Sequence, residues 1–151
     1  MSTKSLLDIY KSIDNKLTGF MSSYGIAILR VALAIVFIWF GALKIFGTSP
    51  VGALVANTVY WVSPEWFVPF LGVWEIVIGI GLLFRFVLRF TLLLMFVQLA
   101  GTFLVPILHP SVAFVGGNPF LLTTEGEFVV KNLVLLAAGI VIGGTVERGE
   151  R

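Results

Sequence analysis

LGVWEIVIGIGLLF, residues 71–84, holds a single carboxylate, Glu75, in an otherwise apolar run studded with glycine. Lipid or packed protein has to surround a run this apolar, and an ionisable residue in such a place is rare and costly. The stretch therefore predicts a membrane-spanning helix. It also poses the question on which function turns: what Glu75 pairs with.

The whole chain agrees with that reading. Over 151 residues the hydrophobic content is 58% and the charged content 12%, with a mean hydropathy of +1.05. Globular domains carry about 25% charged residues, so this composition belongs to a membrane protein of one domain. There is no cysteine, which removes disulfides, thiolate metal sites and dithiol relays. One histidine and eight acidic residues are a poor set for a structural zinc or iron ion, and no metal site is expected. The net charge of +2 is too small to argue for nucleic acid as a partner. It fits basic residues placed on one side of a bilayer.

Outward from residues 71–84, boundaries appear on both sides. Ser63-Pro64-Glu65 is a helix start, with Ser as N-cap and Pro in the first turn, so a span is expected over residues 66–84, bent or restarted by Pro69. Upstream, residues 25–46 form an apolar run of ~22 residues, ~33 Å as a helix, stopped by Gly47, Ser49 and Pro50. Residues 51–60 suit a loop or an interfacial helix. Downstream, Arg85 to Arg89 is a tight basic connection to a span over residues 90–108 that ends at His109-Pro110. Gly116-Gly117-Asn118-Pro119 is turn chemistry inside a loop that keeps several apolar residues. Thr124-Glu125-Gly126-Glu127 matches a capping box, with Thr124 as cap and Glu127 reaching back, and opens a span over residues 127–146. Residues 147–151 are a tail. In residues 1–24, Leu6, Ile9, Tyr10, Ile13, Leu17 and Phe20 recur at helical spacing among lysines, the pattern of an amphipathic helix on an anionic surface. The expected fold is an all-α membrane protein, a four-transmembrane-helix bundle with an N-terminal amphipathic helix. Lys4, Lys11, Lys16, Arg85, Arg89, Arg148 and Arg151 fall on one side, which places both termini in the cytoplasm and the chain in the cell (inner) membrane.

The charged residues within the spans are the candidate site. The second and fourth spans run in the same direction, and at ~1.5 Å per residue Glu75 lies ~9 Å along from Pro69 and Lys131 ~10 Å along from Thr124. An ion pair between them is the expected arrangement. Lys44 reaches the same layer, Glu127 sits four residues before Lys131, and His109 ends the third span nearby. Arg30, Ala34, Phe37, Gly41 and Lys44 share one helical stripe; Gly72, Glu75 and Gly79 another; Gln98, Thr102 and Val105 a third; Thr124, Glu127, Lys131, Leu135 and Ala138 a fourth. Each residue also has a plain structural role: a packing-specific ion pair for Glu75, snorkelling for Lys44, an inner-face anchor for Arg30, a cap for Glu127, a helix end for His109. Trp39, Trp74 and the many phenylalanines are expected in packing and lipid contact.

Arg30 with Gly41-x-x-Lys44, Gly72-x-x-Glu75-x-x-x-Gly79, and Glu125-Gly-Glu-Phe-Val-Val-Lys131-Asn132 together resemble the DoxX/DoxD-like group of small four-span membrane proteins, over residues 25–144. The group includes the small subunit of a thiosulfate:quinone oxidoreductase and proteins tied to oxidative and reactive-chlorine stress. The resemblance implies a non-catalytic or quinone-interacting subunit of a membrane redox or stress-response complex. In that role no cofactor is bound covalently, quinone is the candidate ligand, and the partners are the bilayer, a soluble or membrane redox subunit, or further copies of the chain. Glu75, Lys131, Lys44, Glu127, Arg30 and His109 are the candidate polar or quinone site. A structural assembly subunit and a small-solute or proton transporter stand as alternatives.

Overall fold

The computed structural model describes residues 3–49 and 62–146. The expectations for residues 51–60 and for the tail, residues 147–151, lie outside the described residues.

The first helix, α1, runs Thr3–Ile45, 43 residues without a break. No backbone interruption separates the N-terminal amphipathic segment from the first span. The residue at the expected boundary, Gly25, weakens a helix by only about 1 kcal/mol, and both flanks are strong helix. At ~1.5 Å per residue α1 is ~65 Å long, about twice the ~30 Å hydrocarbon thickness. The side chains of residues 9–24 are exposed throughout. The helix ends where glycine ends it: Gly47 takes φ 68°, Thr48 N–H donates to the Leu43 carbonyl at 3.0 Å, and Gly47 N–H to the Lys44 carbonyl at 3.3 Å. These two bonds form a Schellman motif.

The second helix, α2, spans Pro64–Leu83. Ser63 holds the extended N-cap backbone, although its side chain makes no capping bond. Pro69 falls inside the helix, which neither stops nor restarts there; one missing N–H near the first turns is tolerated. A 3₁₀ turn, Arg85–Val87, leads into α3, Leu88–Phe103. The third span is broken near its end. A four-residue helix, α4, covers Val105–Leu108 with Pro106 in its first turn, and α5 covers Pro110–Ala113. Pro106 has no N–H for the Thr102 carbonyl, so the ladder resets at Leu104, whose carbonyl accepts from Ile107 and Leu108.

The connection to the last helix is ordered. It turns at Gly116 and Gly117, with φ of 59° and 75°, and folds back so that Phe114 and Leu122 form an isolated antiparallel bridge. The last helix, α6, spans Thr124–Gly143. Its cap is one residue earlier than expected. Thr123 is the N-cap and accepts from Gly126 N–H at 3.0 Å, which leaves Glu127 outside the box. Thr123 also donates its hydroxyl to the Val112 carbonyl, and so fastens α5 to the start of α6.

The core joins α1, α2, α3 and α6 through Phe37, Ile78, Leu82, Met95 and Ile142. Among the described residues, four helical segments are long and apolar enough to cross a membrane, and little more than a quarter of the most apolar stretch of any of them is buried inside the protein. The apolar outer surface that remains is the surface a bilayer covers. The chain is an all-α membrane bundle.

Candidate functional site

Glycines set the geometry of the site. A Cβ placed on Gly72 would lie 2.6 Å from the Gly41 carbonyl oxygen, and one on Gly79 would lie 2.9 Å from the Ala34 carbonyl. The antiparallel α1 and α2 therefore touch backbone to backbone along Ala34, Gly41, Gly72 and Gly79, as small residues permit. Lys44 packs its Cβ over Gly72. Helical side chains lean toward the N-terminus of their own helix, so Lys44 reaches back down α1 to the level of Glu75. Its Nζ donates to Glu75 Oε2 at 2.7 Å and to Oε1 at 2.9 Å. Both residues are buried, at 6% and 7% exposure.

The partner of Glu75 is thus Lys44, and the expected pair with Lys131 does not form. Lys131 stands on the outer face of α6, its side chain 70% exposed, with Glu127 at 3.1 Å. The inner face of α6 carries Gly126, Val129, Ala138, Gly139 and Ile142 instead. Position along the axis was compatible with a Glu75–Lys131 pair; rotation about it was not.

Gln98 on α3 completes the polar cluster, donating its Nε2 to Glu75 Oε1 at 2.5 Å. The orientation of the amide follows from the network: a carboxylate bridged through both oxygens by Lys44 only accepts, so the nitrogen of Gln98 faces it. Gln98 Oε1 is then left buried with no hydrogen-bond partner. Thr102, one turn on, donates to the Gln98 carbonyl at 3.2 Å.

Beside this cluster lies a cavity of about 350 Å³ between α1, α2, α3 and α6. Lys44, Glu75, Gln98, Thr102 and Asn132 supply its polar groups, and Phe37, Phe40, Phe67, Phe70, Trp74 and Phe128 its aromatic walls. The volume lies in the range of small-molecule pockets, which are mainly apolar with a few convergent polar groups. Trp74 is held in place by its indole N–H, which donates to the Leu94 carbonyl at 3.4 Å.

Of the six charged or titratable candidates, the structure brings Glu75 and Lys44 together at the cavity; Lys131, Glu127, Arg30 and His109 are not among its lining residues. Arg30 donates its Nε to the Leu82 carbonyl at 2.8 Å, satisfying one of the carbonyls left open in the last turn of α2. His109 is half-buried at the junction of α4 and α5. Asn132 and the aromatic walls are the part that sequence reasoning missed. Phenylalanine and tryptophan in a span carry no mark that separates cavity lining from lipid contact. Asn132 had a signal, a polar amide one residue past Lys131, which faces the other way.

A bundle of four membrane-length helical segments, with a Lys–Glu–Gln cluster at an aromatic-lined cleft between them, defines a small multi-pass membrane protein with a ligand-sized site. The DoxX family model matches residues 25–108, more than half of the chain, and the protein belongs to the DoxX family. The match includes Lys44, Glu75 and Gln98 and stops short of α6, which contributes Asn132 and Phe128. Comparison with curated proteins and with solved structures finds no match in either.

Proposed function

We propose that this DoxX-family protein is a quinone-interacting subunit of a membrane redox or oxidative-stress-response complex, without catalytic activity of its own. The observation that carries the reading is the aromatic cavity of about 350 Å³ that ends on the Lys44–Glu75–Gln98 cluster. Its residues fit such a ligand. Flat aromatic walls suit a planar ring, and the Lys44 ammonium and the Asn132 amide among the lining residues are donors of the kind a quinone carbonyl accepts from. A quinone, when bound, supplies reversible two-electron, two-proton chemistry. The chain's own part would be to bind and orient the ring and to hold a carboxylate, Glu75, among the residues that line its site. With no cysteine in the chain a dithiol is not the electron donor, and that role is assigned to a partner subunit. Basic residues at the α2–α3 turn, Arg85 and Arg89, with Lys11 and Lys16 on α1, favour a cell-membrane orientation with both termini cytoplasmic.

Lipid extraction of the purified protein followed by mass spectrometry tests the reading. Quinone in near-stoichiometric amount is expected, and its absence across several mild detergents overturns it. A purely structural role is favoured by one observation, the double hydrogen bond of Lys44 to Glu75 across the α1–α2 seam. It predicts that Glu75→Gln lowers thermal stability and leaves bound lipid unchanged.

A further inference from the structure

We propose that the N-terminal half of α1 pairs with the same segment of a second copy of the chain, as a parallel two-stranded coiled coil that extends past the bundle. The pairing is independent of what the cavity holds.

The bundle ends well before α1 does. Arg30 meets the Leu82 carbonyl in the last turn of α2, and residues 9–24 beyond it are exposed throughout. At ~1.5 Å per residue, residues 3–24 carry the helix ~33 Å further. Leu6, Tyr10, Ile13, Leu17, Phe20 and Tyr24 follow one another at alternating spacings of four and three, the a/d repeat of a coiled coil. From Tyr10 to Tyr24, each side chain of that row is more than half exposed. Phe20 and Tyr24 already pack on one another, with ring centroids 5.2 Å apart. The same face continues into the span as Ile28, Val31 and Ile35, all exposed, whereas Leu33, Ala34 and Phe37 are buried. The row therefore lies on the side of α1 turned away from the bundle, and an exposed apolar row of this length marks an interaction surface.

Three observations favour a second copy over a lipid surface. First, α1 is helical from Thr3 to Ile45 without a break. A helix that crosses a bilayer and then lies flat on it has to turn sharply, which takes an interruption of the backbone ladder. Second, helices that lie on anionic membranes are rich in lysine and arginine. Lys4, Lys11 and Lys16 against Asp8 and Asp14 leave residues 3–24 with a net charge of only +1. Third, Lys16 and Asp14 fall on opposite flanks of the row, each about 80° from its midline at about 100° per residue. Copies of one chain enter the membrane in one orientation, so their α1 helices run parallel and at one depth. A two-fold axis between them sets the Lys16 flank of each against the Asp14 flank of the other. Confinement to one bilayer raises the effective concentration of the two segments, which lets a short seam hold.

The chain has no cysteine, so a single introduced thiol reports alone. Ile13→Cys and Leu17→Cys sit on the seam, and Asn15→Cys on the opposite face is the control. Vesicles holding the full chain are oxidised with copper phenanthroline, and covalent dimer is expected at positions 13 and 17 in roughly fivefold excess or more over position 15. Adding Leu17→Glu to Ile13→Cys sets two carboxylates against each other in the seam and should lower its dimer yield by a similar factor. Equal yields at all three positions reflect random collision and overturn the pairing. A dimer that survives Leu17→Glu also overturns it. So does the absence of dimer when a fluorophore on the Ile13→Cys variant is quenched by headgroup nitroxides in vesicles containing phosphatidylglycerol, which assigns the face to the anionic surface. No dimer and no quenching overturns it as well. Quinone extraction is read separately, so either proposal can fail without the other.

Discussion

The carbonyl oxygen of Gly41 occupies the place where a side chain on Gly72 would begin, and the carbonyl of Gly72 stands in the same relation to Gly41. This reciprocal contact brings α1 and α2 close enough for Lys44 to bridge both oxygens of Glu75. Gly72→Ala places a methyl 2.6 Å from the Gly41 oxygen, and the obstacle is backbone, which cannot rotate away. A loss of about 1–3 kcal/mol is expected, read as a lower thermal midpoint in detergent. Gly101→Ala, where a Cβ would meet nothing within 4 Å, is the control and should not lower it.

The Lys44–Glu75 pair should behave as a unit. Lys44→Met leaves a buried carboxylate without its cation and is expected to destabilise by about 3–5 kcal/mol. Lys44→Met combined with Glu75→Leu removes both charges and should recover most of that loss. Denaturation of the two single variants and the double variant in one detergent measures the coupling. Additive losses would show that the pair contributes nothing as a pair.

Lys131 supplies the contrast. Its side chain is 70% exposed and pairs only along its own helix, so Lys131→Gln should change stability by less than about 0.5 kcal/mol. It should also leave ligand affinity unchanged. A loss as large as that of Lys44→Met would mean that the last helix is rotated to face the bundle.

Adjacent threonines test the cap. Thr123→Ala removes the bond from Gly126 N–H and the anchor to Val112, and about 1–2 kcal/mol is expected. Thr124→Ala should change little. Hydrogen exchange at the first turn of α6 distinguishes the two, with protection lost only in the Thr123 variant.

Run length and punctuation made the spans legible. Gly47, Ser63-Pro64 and the glycine pair at residues 116–117 all mark real boundaries. The break at Leu104 was also written in the chain, as Pro106, four residues past Thr102. The N-terminal division was not, because a lone glycine between two helix-forming stretches does not decide whether one helix or two results. The site was half legible. Gln98 and Thr102 fell on one stripe and do face the cavity together. The pairing of Glu75 went astray because depth follows from counting residues, whereas rotation depends on which residues the neighbours admit. Two signals pointed to the pairing found. Gly41-x-x-Lys44 and Gly72-x-x-Glu75 carry the same spacing on consecutive helices, and Gly126, Ala138 and Gly139 mark the inner side of α6 as the one without Lys131.

Lys44 and Glu75 hold opposite charges one hydrogen bond apart, so the wall they build is electrically neutral. An uncharged molecule settling against it carries no charge through the thickness of the bilayer. A membrane potential does work of about 2.3 kcal/mol per elementary charge for each 100 mV, and here the charge moved is nil. Binding of an uncharged ligand is therefore expected not to depend on voltage.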